Sequence, residues 1–248
     1  HQKAAAAYER GFFKDLIVPF RGIDRDNNLR ADTTLEKLAS LKLAFDRSSG
    51  HGTLSAGNST PLSDGASAAL LGSENWARQR GLPVQAWLTH AQTAAVDFVH
   101  GAGLLMAPTV AVARMLKQAG LSLQDFDYYE IHEAFAAQVL CTLRAWESAD
   151  YCKKELGLDR ALGAIDPAKL NVNGSSLALG HPFAATGARL VATLAKKQGW
   201  DPKRVIPVTG DMTAPKCGLT TAQIRTLSAK KIQHFFHLAA IYDLTASA

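Results

Sequence analysis

Asn171-Val172-Asn173-Gly174-Ser175-Ser176-Leu177-Ala178-Leu179-Gly180-His181-Pro182-Phe183-Ala184-Ala185-Thr186-Gly187-Ala188-Arg189 is the stretch on which the reading of this chain turns. It is rich in Gly, Ser and Asn, and then passes into a run of small residues expected to be helical. Small residues let a backbone or a ligand approach closely. His181 stands between Gly180 and Pro182, a setting expected to give it a fixed and accessible position. Imidazole titrates near neutral pH and can take a proton from a thiol or an alcohol. A helix N-terminus nearby also favours an anion. An arbitrary histidine in a turn is more simply read as bonded to backbone, so the segments around it have to decide.

Outward from this stretch, helical and strand-like patterns alternate, which argues for an α/β class. Residues 1–16 read as a helix with Phe12, Phe13 and Leu16 on its apolar side. Asp32-Thr33-Thr34-Leu35-Glu36 has the capping and early acidic residues of a helix start, with Leu35, Leu38 and Leu41 following at helical spacing. Residues 48–52 form a loop by composition. Residues 67–71 are short and apolar, and periodicity does not decide between strand and helix there. Val84–Leu88, Phe126–Ile131 and Val205–Val208 read as strands, the last at an edge because of Pro207. Pro108–Leu116, Glu133–Trp146 and Leu177–Lys197 read as helices. The tail from Gln223 to Leu244 is amphipathic and is expected to pack on a core or a partner.

The composition is that of a globular chain: 248 residues, 47% hydrophobic and 20% charged. No run of about 18 apolar residues marks a membrane span. The net charge of +5 permits an anionic ligand. The basic residues are scattered without aromatic interleaving, so no nucleic-acid partner is expected. The start His1-Gln2-Lys3-Ala4 has no signal-peptide pattern and reads as the middle of a helix, as in a chain whose beginning lies elsewhere. Cys141, Cys152 and Cys217 form no CxxC pair, and the odd count suggests free thiols in a reducing compartment, cytoplasm or organellar matrix. No metal is expected. The segment from Asp24 has Leu29 and Leu35 where a calcium loop needs Gly and Glu, and His234 and His237 have no third ligand indicated.

Three segments carry a resemblance. Gly180-His181-Pro182-Phe183-Ala184-Ala185-Thr186-Gly187 resembles the Gly-His-Pro segment of the thiolase family. Ile131-His132-Glu133-Ala134-Phe135-Ala136 is similar to its Asn-Glu-Ala-Phe-Ala segment, with His132 in place of the commoner Asn. That variant looks like the branch that includes the β subunit of the fatty-acid β-oxidation complex. Gly52-Thr53-Leu54-Ser55-Ala56-Gly57-Asn58-Ser59-Thr60-Pro61-Leu62-Ser63-Asp64-Gly65-Ala66 is similar to the family's Thr-Ala-Gly-Asn…Asp-Gly-Ala loop. Leu41–Phe45 and Leu105–Pro108 also fit, and the resemblance runs from residue 1 to about 208.

The resemblance implies the C-terminal half of a thiolase-like α/β fold, a mixed sheet flanked by helices. Residues 1–208 would be a partial thiolase region, comprising the loop region and the C-terminal domain. Residues 209–248 would be a divergent, helical tail. It implies acyl-CoA thiolase chemistry, either 3-ketoacyl-CoA thiolysis or acetyl-CoA condensation. Coenzyme A would be a substrate, with no permanently bound cofactor and with a homo- or hetero-oligomeric assembly. In that chemistry a cysteine takes the acyl group as a thioester. His181 would activate the thiol, and His132 would hold the water, or the enolate oxygen itself, of the second acyl group. Phe45, Ala56, Thr60, Met106, Ala134 and Phe135 fall on positions that line the pantetheine and acyl channel, although each also reads as a core residue.

The chain departs from the family in two places. The nucleophile lies, in the family, before the segment where this chain begins. Cys141 reads as a buried inert thiol and Cys152 has no matching motif. The family's acid/base cysteine precedes a glycine run. Here Thr209-Gly210-Asp211-Met212 follows the expected strand, and Cys217 is displaced, without glycines to form an oxyanion hole. Both facts count against Cys217 as the acid/base residue. The isolated chain is therefore expected to be catalytically incomplete. The alternative is a non-catalytic, thiolase-like module that pairs with a complete thiolase; a condensing relative fits less well around His132.

Overall fold

The computed structural model describes residues 1–197 and 220–229. In chain order its helices are α1 (Gln2–Glu9), α2 (Leu35–Ala39), α3 (Glu74–Gln79), α4 (Ala107–Ala119), α5 (Ala136–Glu147), α6 (Ala149–Leu156), α7 (Ser176–Leu179), α8 (Thr186–Lys197) and α9 (Thr221–Ala229), with a 3₁₀ turn at Leu123–Asp125 before α5. The chain divides into two compact units. One comprises His1–Ala6, Asn28–Pro61 and Ala86–Gly180; the other comprises Ala7–Asn27, Leu62–Gln85 and the residues from His181 onward.

The first unit is built on α4, α5 and α6. Pro108 sits in the first turn of α4, where its missing N–H costs nothing. Thr109, Ala113 and Leu116 recur on its buried side. Val139, Thr142, Ala145 and Trp146 do the same on α5. Leu116, Leu123, Trp146 and Ile165 form the buried core, against which Phe126, Tyr129, Ile131 and Leu170 pack. Each such side chain contributes about 1.5–3 kcal/mol when fully buried. Ser148 caps α6 by accepting from Tyr151 N–H, and Cys152 on that helix is completely buried.

In the second unit α1 ends through two nested backbone bonds, Gly11 N–H to Tyr8 O and Phe12 N–H to Ala7 O. Phe13 is buried there, in contact with the rings of Tyr8 and Phe12. Ser73 caps α3 by accepting from Trp76 N–H. Lys196 of α8 pairs with Asp15.

Several expectations change. The helix read over 1–16 stops at Glu9, and residues 10–16 continue as turns. The helix read from Glu133 begins at Ala136, because Phe135 stays extended and bridges to Ser59. The single helix read over 177–197 is two, α7 and α8. Gly180, at φ 80° and ψ 174°, takes a conformation that side-chain-bearing residues disfavour, and Pro182 follows. His181 therefore sits in the break between helices.

Among the described residues the expected sheet appears only as isolated bridges, such as the parallel Tyr129–Leu170 contact in the first unit. Val84–Leu88 has strand-forming residues but forms no ladder, since a strand requires a partner for its backbone groups. Residues 67–71 form no helix or strand, and Leu70 and Leu71 are exposed. The strand read at 205–208 and most of the tail lie outside the described residues, as does Cys217; α9 falls within the expected helical tail.

Candidate active site

In the first unit, residues 131–135 lie beside the run Asn171–Gly180, and side chains tie the two together. Asn171 is buried and adopts a left-handed conformation at φ 46°, which Asn tolerates better than most residues. Its Oδ1 accepts from Ile131 N–H at 2.8 Å, and its Nδ2 donates to Ile131 O and to Glu133 Oε1, each at 2.9 Å. The other oxygen of Glu133 accepts from Leu177 N–H at 3.1 Å, in the first turn of α7. A third segment joins them: Thr60 Oγ1 donates to Ser176 O at 2.9 Å, and Thr60 N–H donates to Ala134 O at 2.9 Å.

His132 is half-buried within this framework. Its Nδ1 lies 2.8 Å from the hydroxyl of Ser176, which has no exposed surface.

In the second unit, His181 is half-buried at the start of the segment leading to α8. Leu62 bridges to it in parallel fashion, and the Phe183 ring meets its edge at 4.9 Å. Its Nδ1 is 2.7 Å from Thr186 Oγ1, and that hydroxyl donates to Pro182 O at 3.4 Å. A hydroxyl can donate to or accept from an imidazole, so this contact fixes the ring at Nδ1, and the tautomer sets which of the two groups donates. Burial, reinforced by the positive charge of Arg189, lowers the His181 pKa below the usual imidazole value. The ring is thereby held neutral at physiological pH, the form that a general base requires.

The other expected ligand-facing residues fall in the first unit. Phe45 is half-exposed, with its ring edge-to-face on Phe135 at 5.8 Å. Thr60, Ala134 and Phe135 belong to the framework around His132. Met106 precedes α4, and its sulfur lies 3.2 Å from Gln138 Nε2, which also donates to Leu105 O. Ala56 is exposed in the loop before Thr60.

Among the described cysteines one expectation reverses. Cys141, read as buried, is exposed, because it lies off the buried stripe of α5 formed by Val139, Thr142, Ala145 and Trp146. Cys152 is the buried one, with its sulfur against the carbonyls of Ala145 and Trp146. Sequence reasoning assigned no role to Asn171, Ser176 or Thr186. The available signal was that all three lie in the same Gly-, Ser- and Asn-rich stretch as His181.

Comparison with known proteins fits these segments. A family model described as Thiolase, C-terminal domain, matches residues 82–205, and one described as Thiolase, N-terminal domain, matches residues 1–75. A third, described as Male sterility protein, matches residues 184–248, overlapping the thiolase match and running through the tail. The 3-ketoacyl-CoA thiolase of Shewanella loihica is 42% identical over 203 residues, covering 79% of this chain and 46% of that protein. The enzyme of the same name from Yersinia pestis is 43% identical over 197 residues, covering 77% and 44%. Among solved structures, human mitochondrial 3-ketoacyl-CoA thiolase in complex with CoA superposes with a TM-score of 0.62 at 30% identity, covering 80% of this chain and 46% of that one. The dimeric peroxisomal thiolase of Saccharomyces cerevisiae does so with a TM-score of 0.62 at 34% identity, covering 79% and 46%. The chain spans less than half the length of these relatives, and its α/β fold class is theirs. On this evidence the chain belongs to the thiolase family.

Proposed function

We propose that this chain carries part of the catalytic apparatus of an acyl-CoA thiolase acting in 3-ketoacyl-CoA thiolysis or acetyl-CoA condensation. The observation that carries the reading is His181: an imidazole held through Nδ1 by Thr186, with burial and Arg189 favouring its neutral form. His181 takes the proton of a cysteine thiol, and the thiolate accepts the acyl group as a thioester. His132 steadies the oxygen of the second acyl group as it gains enolate character. Coenzyme A is a substrate here, and Phe45, Ala56, Thr60, Met106, Ala134 and Phe135 border its pantetheine and acyl arm.

The nucleophile is not supplied by the described cysteines. Cys152 is sealed in the core, and Cys141 lies on the outer face of α5, outside the motif segments. Residues 1–208 act as the thiolase region and 209–248 as a divergent tail, a division supported by the thiolase match that ends at residue 205. The free thiols favour cytoplasm or organellar matrix, and the dimeric yeast relative favours an oligomeric assembly.

The test is thiolysis of a 3-ketoacyl-CoA with free CoA. The purified 248-residue chain is expected to show no turnover. A chimera in which residues 1–205 replace the matched region of the Shewanella loihica enzyme is expected to be active. Turnover by the isolated chain, or a folded but inactive chimera, overturns the proposal.

A further inference from the structure

His132 and His181 are both held at Nδ1 by a hydroxyl group. Ser176 can play either part towards His132, because a hydroxyl is both donor and acceptor. What it does decides whether His132 presents an N–H or a lone pair at Nε2.

We infer that Ser176 is a positioning residue that donates its hydroxyl hydrogen to Nδ1 of His132, holding that ring as the Nε2–H tautomer. Three observations support it. Ser176 is completely buried and its oxygen is 2.8 Å from Nδ1. Its main chain is pinned, with Thr60 donating to its carbonyl and Glu133 accepting from the next amide. The His132 side is pinned equally, because Asn171 bonds the N–H and C=O of Ile131 and the carboxylate of Glu133. The hydroxyl and the ring therefore cannot drift apart without breaking this framework.

The direction of the bond rests on the thiolase reading above. An oxygen gaining negative charge needs a hydrogen-bond donor. An Nε2 lone pair facing it would repel it, so the Ser176 hydrogen belongs on Nδ1. The two histidines then hold opposite tautomers: His132 as a donor through Nε2 and His181 as a base through Nε2.

The test is ¹⁵N NMR of the 248-residue chain labelled at histidine, at a pH above the imidazole titrations and without substrate. Signals are assigned with His132→Asn and His181→Asn variants. The expected result is an Nε2–H tautomer for His132 and an Nδ1–H tautomer for His181. In Ser176→Ala the neutral form of His132 loses its bond, so its tautomer preference fades. An Nδ1–H tautomer for His132 in the unaltered chain overturns the inference, as does a folded Ser176→Ala protein with the same tautomer preference. The first measurement needs no variant, so a misfolded Ser176→Ala leaves the test standing. Tautomers are read without turnover, so an inactive chimera would count against the reaction and not against the assignment at Ser176.

Discussion

Replacing Asn171 by alanine should unpin His132 before anything else in the first unit gives way. The side chain makes three hydrogen bonds of 2.8–2.9 Å, two to Ile131 and one to Glu133, and it is only 4% exposed. Each neutral bond is worth about 1 kcal/mol net, and the one to the carboxylate about 1.5–3 kcal/mol. The sum is about 4 kcal/mol. Alanine adds about 1 kcal/mol for holding φ at 46°, a left-handed backbone without a local polar side chain to support it. Asn171→Gly removes the bonds without that conformational penalty, so it should be less damaging than Asn171→Ala by about 1 kcal/mol. Urea titration gives the global loss, and hydrogen exchange at the Ile131 amide gives the local one. The amide should exchange orders of magnitude faster in both variants. A loss below about 1 kcal/mol with Ile131 still protected would refute the argument that this side chain holds the His132 segment.

Three further expectations follow from other features. The His181 pKa is lowered by burial and by Arg189, so between the ordinary imidazole value of about 6.5 and the native value the unfolded chain binds more protons. Stability should be flat above about pH 6.5 and fall as pH drops through that window, and Arg189→Gln should raise the His181 midpoint in an NMR titration. Gly174 has φ 76°, and an added Cβ would lie 2.5 Å from that of Ala4; Gly174→Ala should cost about 1–3 kcal/mol or more in urea unfolding, from overpacking and backbone strain together. In the native chain, Cys141 should react rapidly with a thiol reagent while Cys152 should react only on unfolding, so that Cys141→Ser removes a fast phase.

The motif residues were legible in sequence because their identities are local: His181 between Gly180 and Pro182, and His132 before Glu133-Ala134-Phe135. The helix caps were partly legible too, since Thr34 does accept from Lys37 N–H and Pro108 does open α4. What failed did so for non-local reasons. Apolar periodicity runs across Gly180 without registering that its backbone breaks the helix, and it cannot show that Phe135 is drawn into a bridge with Ser59. Cys141 was misplaced because a half-turn of phase on α5 decides whether a thiol faces core or solvent. Ser176 and Asn171 were invisible as partners of residues 131–133, because the bonds span about forty residues of chain. The paired strands expected at 84–88 depend on partners that a single segment cannot announce.

The central claim, that His181 is the base of a thiolase site, is tested most directly in the chimera carrying residues 1–205 in the Shewanella loihica enzyme. The measurement is kcat/KM for 3-ketoacyl-CoA thiolysis with His181 and with His181→Ala, each checked for folding. Removal of a general base should lower it by about 10²–10⁴-fold. A folded His181→Ala chimera within ten-fold of its parent would contradict the claim.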